Sequence, residues 1–243
     1  MSRGLPLSES CIRTNVVRCA PLDHHIYHLV VRLPQNSDWS FLAGQYCLVS
    51  TDDGMHCPLS IASSPETLPE ISFFVRVAGA GSLADQLIRA AQDNGILGVS
   101  PPMGACTWPR FSSGDLWIIA GGTGIAPVLS LLASKDARPC RIFWGVRHDQ
   151  ELFAHDMLSD LADKVGAEYV PVVEQPSAQW VGEIGQPHQV ALAHQPPKMT
   201  RFLLAGGPPM VHAVRTALVN FGIAPTNIHS DLIDLGQIPS TGL

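Results

Sequence analysis

Two glycine-rich stretches each lie between an apolar run and a helix-forming run. Gly121-Gly122-Thr123-Gly124-Ile125-Ala126-Pro127 follows residues 116–120, and Ala205-Gly206-Gly207-Pro208-Pro209-Met210 closes the run that begins at Arg201. Glycine lets a ligand approach the main chain closely, and a helix beginning just beyond it aims free N–H groups and a positive dipole end at a phosphate. Neither stretch reads G-x-G-x-x-G, so the ordinary dinucleotide fingerprint is missing, and such a turn also needs glycine for its geometry alone. Two of them side by side on one sheet edge match a long ligand with two phosphates. A third candidate runs from Arg76 to Ser82, where Gly79, Gly81 and Ser82 open a helix and Arg76 supplies a charge. Its plain alternative is a strand-to-helix connection.

Other chemistries find little footing. No G-x-S-x-G elbow and no H-E-x-x-H pair occurs. His24, His25 and His28 are close in sequence, but 24 and 28 share a face only on a helix and the segment reads as a strand, so no metal site is expected. Cys11, Cys19, Cys47, Cys57, Cys106 and Cys140 are too widely spaced for a metal knuckle. Residues 1–10 are polar and mixed and lack the hydrophobic stretch of a secretory signal. Free thiols in a reducing cytoplasm are the expectation.

These candidates need elements to hold them. The first hundred residues read as strands at 26–33, 45–50, 70–77 and 96–100, interrupted by one helix at 82–92 with Ser82 as its cap and Leu83, Leu87 and Ala91 on one face. That pattern suggests a β-barrel. After a Pro-, Gly- and Ser-rich connection at 101–115 the pattern alternates: strands at 116–120, 140–145, 168–173 and 201–205, helices at 125–134, 149–165 and 208–221, with Gly222 as a helix stop. Alternation means a parallel sheet covered on both faces, which binds ligands at the carboxyl ends of its strands. Two units follow, an antiparallel barrel over 1–110 and an α/β unit over 111–243. Residues 116–134 carry no charge and are long enough to span a bilayer, but Gly121, Gly122, Gly124 and Pro127 would break such a helix at its centre, so no membrane span is expected.

Composition agrees. The 243 residues are 46% hydrophobic and 15% charged with a net charge of -6, which supplies a core but no broad cationic surface for nucleic acid. The 21 glycines and 20 prolines suit short strands and tight loops rather than long helices.

Taken in order, Pro58-Leu59-Ser60, Arg76 to Ser82, Gly121 to Pro127 and Ala205 to Met210 resemble the ferredoxin-NADP reductase superfamily. Residues 170–185 (VPVVEQPSAQWVGEIG) look most like its NAD(P)H:flavin reductase branch. The resemblance covers roughly residues 12–235. It implies a flavin-binding barrel followed by a nicotinamide-nucleotide unit, with FAD, FMN or free flavin and NADH or NADPH as cofactors, and hydride passing from nicotinamide to flavin N5. It further implies that Pro58, Leu59, Ser60, Arg76, Gly79, Gly81 and Ser82 contact flavin. Gly121, Gly122, Thr123, Gly124, Pro127, Ala205, Gly206, Pro208 and Met210 would contact the nicotinamide nucleotide. Ser60 would orient N5, and Asp231 matches an acidic position suited to proton management.

This chain departs from the family at named places. The family's Arg-x-aromatic-Ser reads Cys57-Pro58-Leu59-Ser60 here, and Leu232 and Ile233 stand where relatives often place an aromatic. Glu174, after the third strand of the second unit, would repel a 2'-phosphate and accept hydrogen bonds from ribose, which favours NADH, whereas Arg147 could reach that phosphate. The resemblance leaves three readings open. They are a flavin reductase, an FAD-bound reductase feeding a separate oxygenase or electron-carrier protein, and a non-catalytic subunit that kept the fold without the flavin.

Overall fold

A computed structural model describes residues 11–112 and 114–238. The reading of residues 1–10 falls outside the described residues.

The first sheet is antiparallel. It comprises β1 (Ile12–Pro21), β2 (Ile26–Arg32), β3 (Tyr46–Ser50), β4 (His56–Ser60), β5 (Glu70–Arg76) and β6 (Ile96–Val99), in the order β4-β3-β6-β1-β2-β5. Helix α1 (Leu83–Asp93) lies between β5 and β6. Past the end of β4, Ile61 bridges Phe73 and the Ala62 N–H donates to the Ser72 carbonyl at 2.8 Å, so the two edge strands meet and the sheet closes on itself. The closure lies beyond β4, so β4 itself keeps one lateral edge without a strand partner. Leu29, Val31, Cys47, Val49, Ile71, Phe73, Val75, Leu97 and Val99 point inward and pack under Leu87, Ile88 and Ala91 of α1. The four strands and the helix expected here are present within a residue or two.

Two strands were not expected, each for a physical reason. Only Thr14 of β1 is fully buried, so the strand shows no hydrophobic alternation and is held by its pairing with β2 and β6. β4 contains Pro58, which argues against a central strand, but β4 lies at one end of the strand order and bonds laterally only to β3.

The second sheet is parallel. It comprises β7 (Leu116–Gly121), β8 (Arg141–Val146), β9 (Glu168–Val173), β10 (Glu183–Ile184), β11 (Arg201–Ala205) and β12 (Ile228–His229), in the order β10-β9-β8-β7-β11-β12. Helices α2 (Ile125–Ala133), α3 (His155–Val165), α4 (Pro187–Ala193) and α5 (Pro208–Phe221) connect the strands, and α6 (Asp231–Asp234) follows β12. Gly222 ends α5 in the left-handed conformation at φ 98°. The expected helix over 149–165 is broken instead. Asp149 accepts hydrogen bonds from the Ser177 N–H and hydroxyl, which fixes a 3-10 turn at Asp149–Glu151, and α3 starts only at His155. α4, β10, β12 and α6 are too short to leave a period in the sequence.

The two sheets share a core. Ile26 and Phe74 of the first and Ala43 of the loop before β3 pack with Trp108 of the connection, with Ile118 and Trp144 of the second and with Ile125 and Leu129 of α2. Polar contacts fix the arrangement: the Ser130 hydroxyl donates to the Ser63 carbonyl at 2.7 Å and the Trp108 indole N–H to the Leu131 carbonyl at 2.9 Å. No helix among the described residues is long and apolar enough to cross a membrane, and residues 116–134 form β7, a turn and α2.

Candidate active site

A cleft of about 390 Å³ opens where the two sheets meet. Its barrel wall is the end of β4, with Pro58, Leu59 and Ser60, together with Gly44, Tyr46 and Phe74. Its other wall is Thr123, Gly124, Ala126 and Pro127 after β7, and residues 203–208 at the end of β11. The C-terminal segment closes it with Ser230, Asp231, Leu232, Leu235 and Gln237. Residues that lie more than 170 positions apart in sequence face one another across this space, as Ser60 and Asp231 do.

Backbone packing sets the two glycine turns side by side. β7 and β11 are neighbours with Ala120 opposite Ala205, so both turns leave the same sheet edge. A Cβ on Gly124 would sit 2.5 Å from the Ala205 carbonyl carbon, closer still to its oxygen, and 2.8 Å from the Gly206 nitrogen. Glycine is therefore needed there for close approach, because the φ of -60° would suit any residue. Met210 packs against Gly121 and Gly206 from the first turn of α5, and the Trp144 indole N–H donates to the Gly122 carbonyl at 2.9 Å. Neither α2 nor α5 receives a side-chain cap at its N-terminus. Prolines 208 and 209 lack N–H groups, so the α2 turn carries more of the donors a phosphate could use.

The third turn differs. At α1 the Ser82 hydroxyl accepts from the Asp85 N–H at 3.2 Å, while the Asp85 carboxylate accepts from the Gly81 N–H at 2.7 Å and pairs with Arg89. Those hydrogen bonds hold the Asp85 carboxyl below its usual range. The 79–82 turn thus lies outside the cleft with a carboxylate of its own on the donor a phosphate would need. Arg76 points elsewhere: its Nη1 lies 3.2 Å from where a Cβ of Gly122 would be, and its Nη2 lies 3.9 Å from Glu151. It stands at the first glycine turn, not at the third. Cys57 faces the barrel core at 6% exposure opposite Val49.

Asp231 is the other polar feature of the cleft. It accepts from the Ala105 N–H at 3.2 Å, and burial pushes its carboxyl above the ordinary range. The connection can approach it only because Gly104, at φ +96°, has no side chain: a Cβ there would lie 2.9 Å from Asp231 Oδ1. Asp234, one turn on, is taken up by Arg110. Tyr46 stands opposite Ser60 across β3 and β4, so the two share a face, and burial followed by the Asp231 charge raises its phenol.

Of the sequence candidates, the structure brings together Pro58, Leu59, Ser60, Thr123, Gly124, Pro127, Ala205, Gly206, Pro208 and Asp231. Arg76, Gly121, Gly122 and Met210 flank this group. Arg147 and Glu174 are exposed at the carboxyl ends of β8 and β9, where the Glu174 and Gln175 N–H groups donate to the Val146 and Arg147 carbonyls. Sequence reasoning missed Gly44, Tyr46, Phe74 and Cys106. Tyr46 and Phe74 are aromatic walls of the cleft, whose positions 59 and 232 are leucines. Only strand parity could have pointed to Tyr46, which pairs with Ser60 once β4 is recognised.

A family model described as an oxidoreductase NAD-binding domain matches residues 118–216. The NAD(P)H-flavin reductase of Vibrio harveyi is 32% identical over 184 residues, 72% of this chain and 77% of that one. The ferredoxin–NAD(P)(+) reductase component of the naphthalene 1,2-dioxygenase/salicylate 5-hydroxylase systems of Ralstonia sp is 28% identical over 214 residues, 86% of this chain and 64% of that one. The chain therefore spans less than two thirds of the Ralstonia protein. A ferredoxin NADP+ reductase from Neisseria gonorrhoeae, solved with FAD and NADP, shares the fold at a TM-score of 0.79 and 20% identity over 92% of this chain and 98% of that one.

Proposed function

The chain belongs to the ferredoxin-NADP reductase superfamily, near its NAD(P)H:flavin reductase branch, and from that premise we propose an oxidoreductase that passes hydride from NADH to a flavin exchanging with solution. The observation that carries this reading is the single cleft that gathers the β4 end, both glycine turns and Asp231. Its volume lies in the range of small-ligand sites, and its mix of apolar walls with a few polar groups suits a planar ring with polar edges.

The residues fit such a ring at one end and not at the other. Pro58, Leu59, Tyr46 and Phe74 give it apolar surface and Ser60 a hydroxyl. The diphosphate arm of FAD finds Asp85 already on the Gly81 N–H and a buried thiol at Cys57. Losing a charge-assisted phosphate contact costs about 1.5–3 kcal/mol, which favours flavin that comes and goes over permanently held FAD.

Flavin and reduced nicotinamide supply the hydride chemistry themselves when bound. The chain's part is to bind and orient. Ser60 offers a hydroxyl from the end of a strand fixed on one side by β3 and past its end by the Ile61 bridge. The 121–124 turn and the uncapped start of α2 would hold the nucleotide phosphates, with Arg76 beside them. Asp231 holds a proton at the cleft more readily than an exposed carboxyl would. Glu174 at the end of β9 favours NADH over NADPH.

The role of the Ralstonia relative in a dioxygenase system supports an oxygenase or electron-carrier protein as recipient of the reducing equivalents. An absorbance spectrum of the purified protein together with NADH oxidation assays tests the proposal. We expect no stoichiometric flavin bands, and NADH oxidation that starts on adding FMN, FAD or riboflavin. Flavin bands near one per chain, with added flavin ignored, would instead establish a permanently bound FAD. No NADH oxidation with any flavin would leave the non-catalytic reading.

A further inference from the structure

Cys106 lies on the floor of the cleft at 2% exposure, in the connection between the two sheets. Its Sγ and one carboxylate oxygen each of Asp231 and Asp234 all lie within 4.8 Å of one another. The three are not equivalent. Asp234 is committed to Arg110, with both guanidinium nitrogens on both oxygens, and faces outward. Asp231 instead turns toward the main chain of 104–106, where the bare Cα of Gly104 leaves room for it and the Ala105 N–H donates to it. The next group along that chain is the Cys106 thiol. Burial first, and then the Asp231 charge, push this thiol far up, so it keeps its proton. A protonated thiol beside a carboxylate donates to it, and that contact opposes the effect of burial on Asp231.

We propose that Cys106 is a positioning residue for Asp231: its buried thiol donates a hydrogen bond to the carboxylate alongside the Ala105 N–H and holds it facing the cleft between Ser60 and the glycine turns. The inference rests on the flavin reductase reading for the use of Asp231, but not for the contact itself. The remaining charged or titratable groups around the pair are Tyr46 from β3, Arg110 from the connection, Asp234 from α6, and His229 from β12, which Arg110 and Asp234 influence. Changing Cys106 to serine or alanine leaves each of these residues in the chain, so the thiol's contribution can be isolated by comparing the two variants.

The test compares the wild type with Cys106→Ser and Cys106→Ala, using Asp231→Asn to identify the Asp231 carboxyl band in infrared difference spectra of the protein without flavin. Removing the donor in Cys106→Ala should raise the proton affinity of Asp231 about tenfold, and the serine hydroxyl in Cys106→Ser should restore it. The pH profile of flavin reduction should move by the same amount in the alanine variant and return in the serine variant. An unshifted Asp231 titration in Cys106→Ala overturns the proposal. So does a shift that serine fails to restore, because that is a packing effect. If Cys106→Ala does not fold, the S–H stretching band decides in its place: it should change between wild type and Asp231→Asn, and an identical band refutes the contact. A shifted titration in a protein that reduces no flavin upholds the contact and removes the reductase reading, so the two fail separately.

Discussion

Gly124→Ala sets two physical rules against each other. Gly124 precedes α2 at φ -60° and ψ -7°, a conformation that alanine adopts freely, so helix propensity alone would make the variant more stable by up to about 1 kcal/mol. Packing says the opposite. The new methyl would lie 2.5 Å from the Ala205 carbonyl carbon and 2.8 Å from the Gly206 nitrogen. Both are main-chain atoms of the adjoining turn, with no flexible side chain to swing aside. Relief requires the two turns to separate by roughly 1 Å, an overpacking that costs about 1–3 kcal/mol in a well-packed region. We expect a net loss of about 1 kcal/mol or more, read as a lower urea midpoint with an unchanged slope. The separation also spreads the nucleotide site, so NADH affinity, followed by nicotinamide fluorescence, should fall about tenfold. A variant as stable as the wild type that binds NADH equally well would refute the claim that these turns pack backbone against backbone.

Four further outcomes follow from the same geometry. Ser60→Ala should slow flavin reduction roughly tenfold, about 1.4 kcal/mol of barrier, with thermal stability unchanged; equal turnover removes Ser60 from the site. Asp85→Ala should free the Gly81 N–H and tighten FMN binding severalfold in a fluorescence titration, whereas weaker binding would place the flavin phosphate elsewhere. Glu174→Ser should narrow a preference for NADH over NADPH in kcat/KM, and a wild type that prefers NADPH would sink that assignment. Burial holds His229 near a pKa of about 4, below the usual 6.5, so the fold favours its neutral form. Stability should therefore fall as pH drops from about 6.5 toward 4, and His229→Gln should lose less over that window in urea titrations.

In the second unit the sequence alone marked the main strands and both glycine turns, but not α4, β10, β12, α6 or the break ahead of α3. The apolar runs at 116–120 and 201–205, each closed by glycine and followed by a helix, marked β7, β11 and both turns, because a buried parallel strand is a continuous apolar run and its helix begins where glycine ends it. The barrel was legible where one face is a continuous apolar row, as Ile71, Phe73 and Val75 are in β5, and illegible in β1, which buries one residue fully, and in β4, where Pro58 is tolerated only because that strand is an edge. Ser60 could be found from its motif, but its neighbour Tyr46 could not, since their pairing depends on the register of β3 against β4. Arg76 shows the same limit. Local spacing put it at the third glycine turn, but only the fold shows it reaching across to Gly122, and only the fold shows Asp85 turned onto the Gly81 N–H. Asp231 lies more than 120 residues from Gly104 and Cys106 in the chain and shares no motif with them. Their meeting was decided by where the connection crosses the C-terminal segment, a long-range contact that no local period encodes.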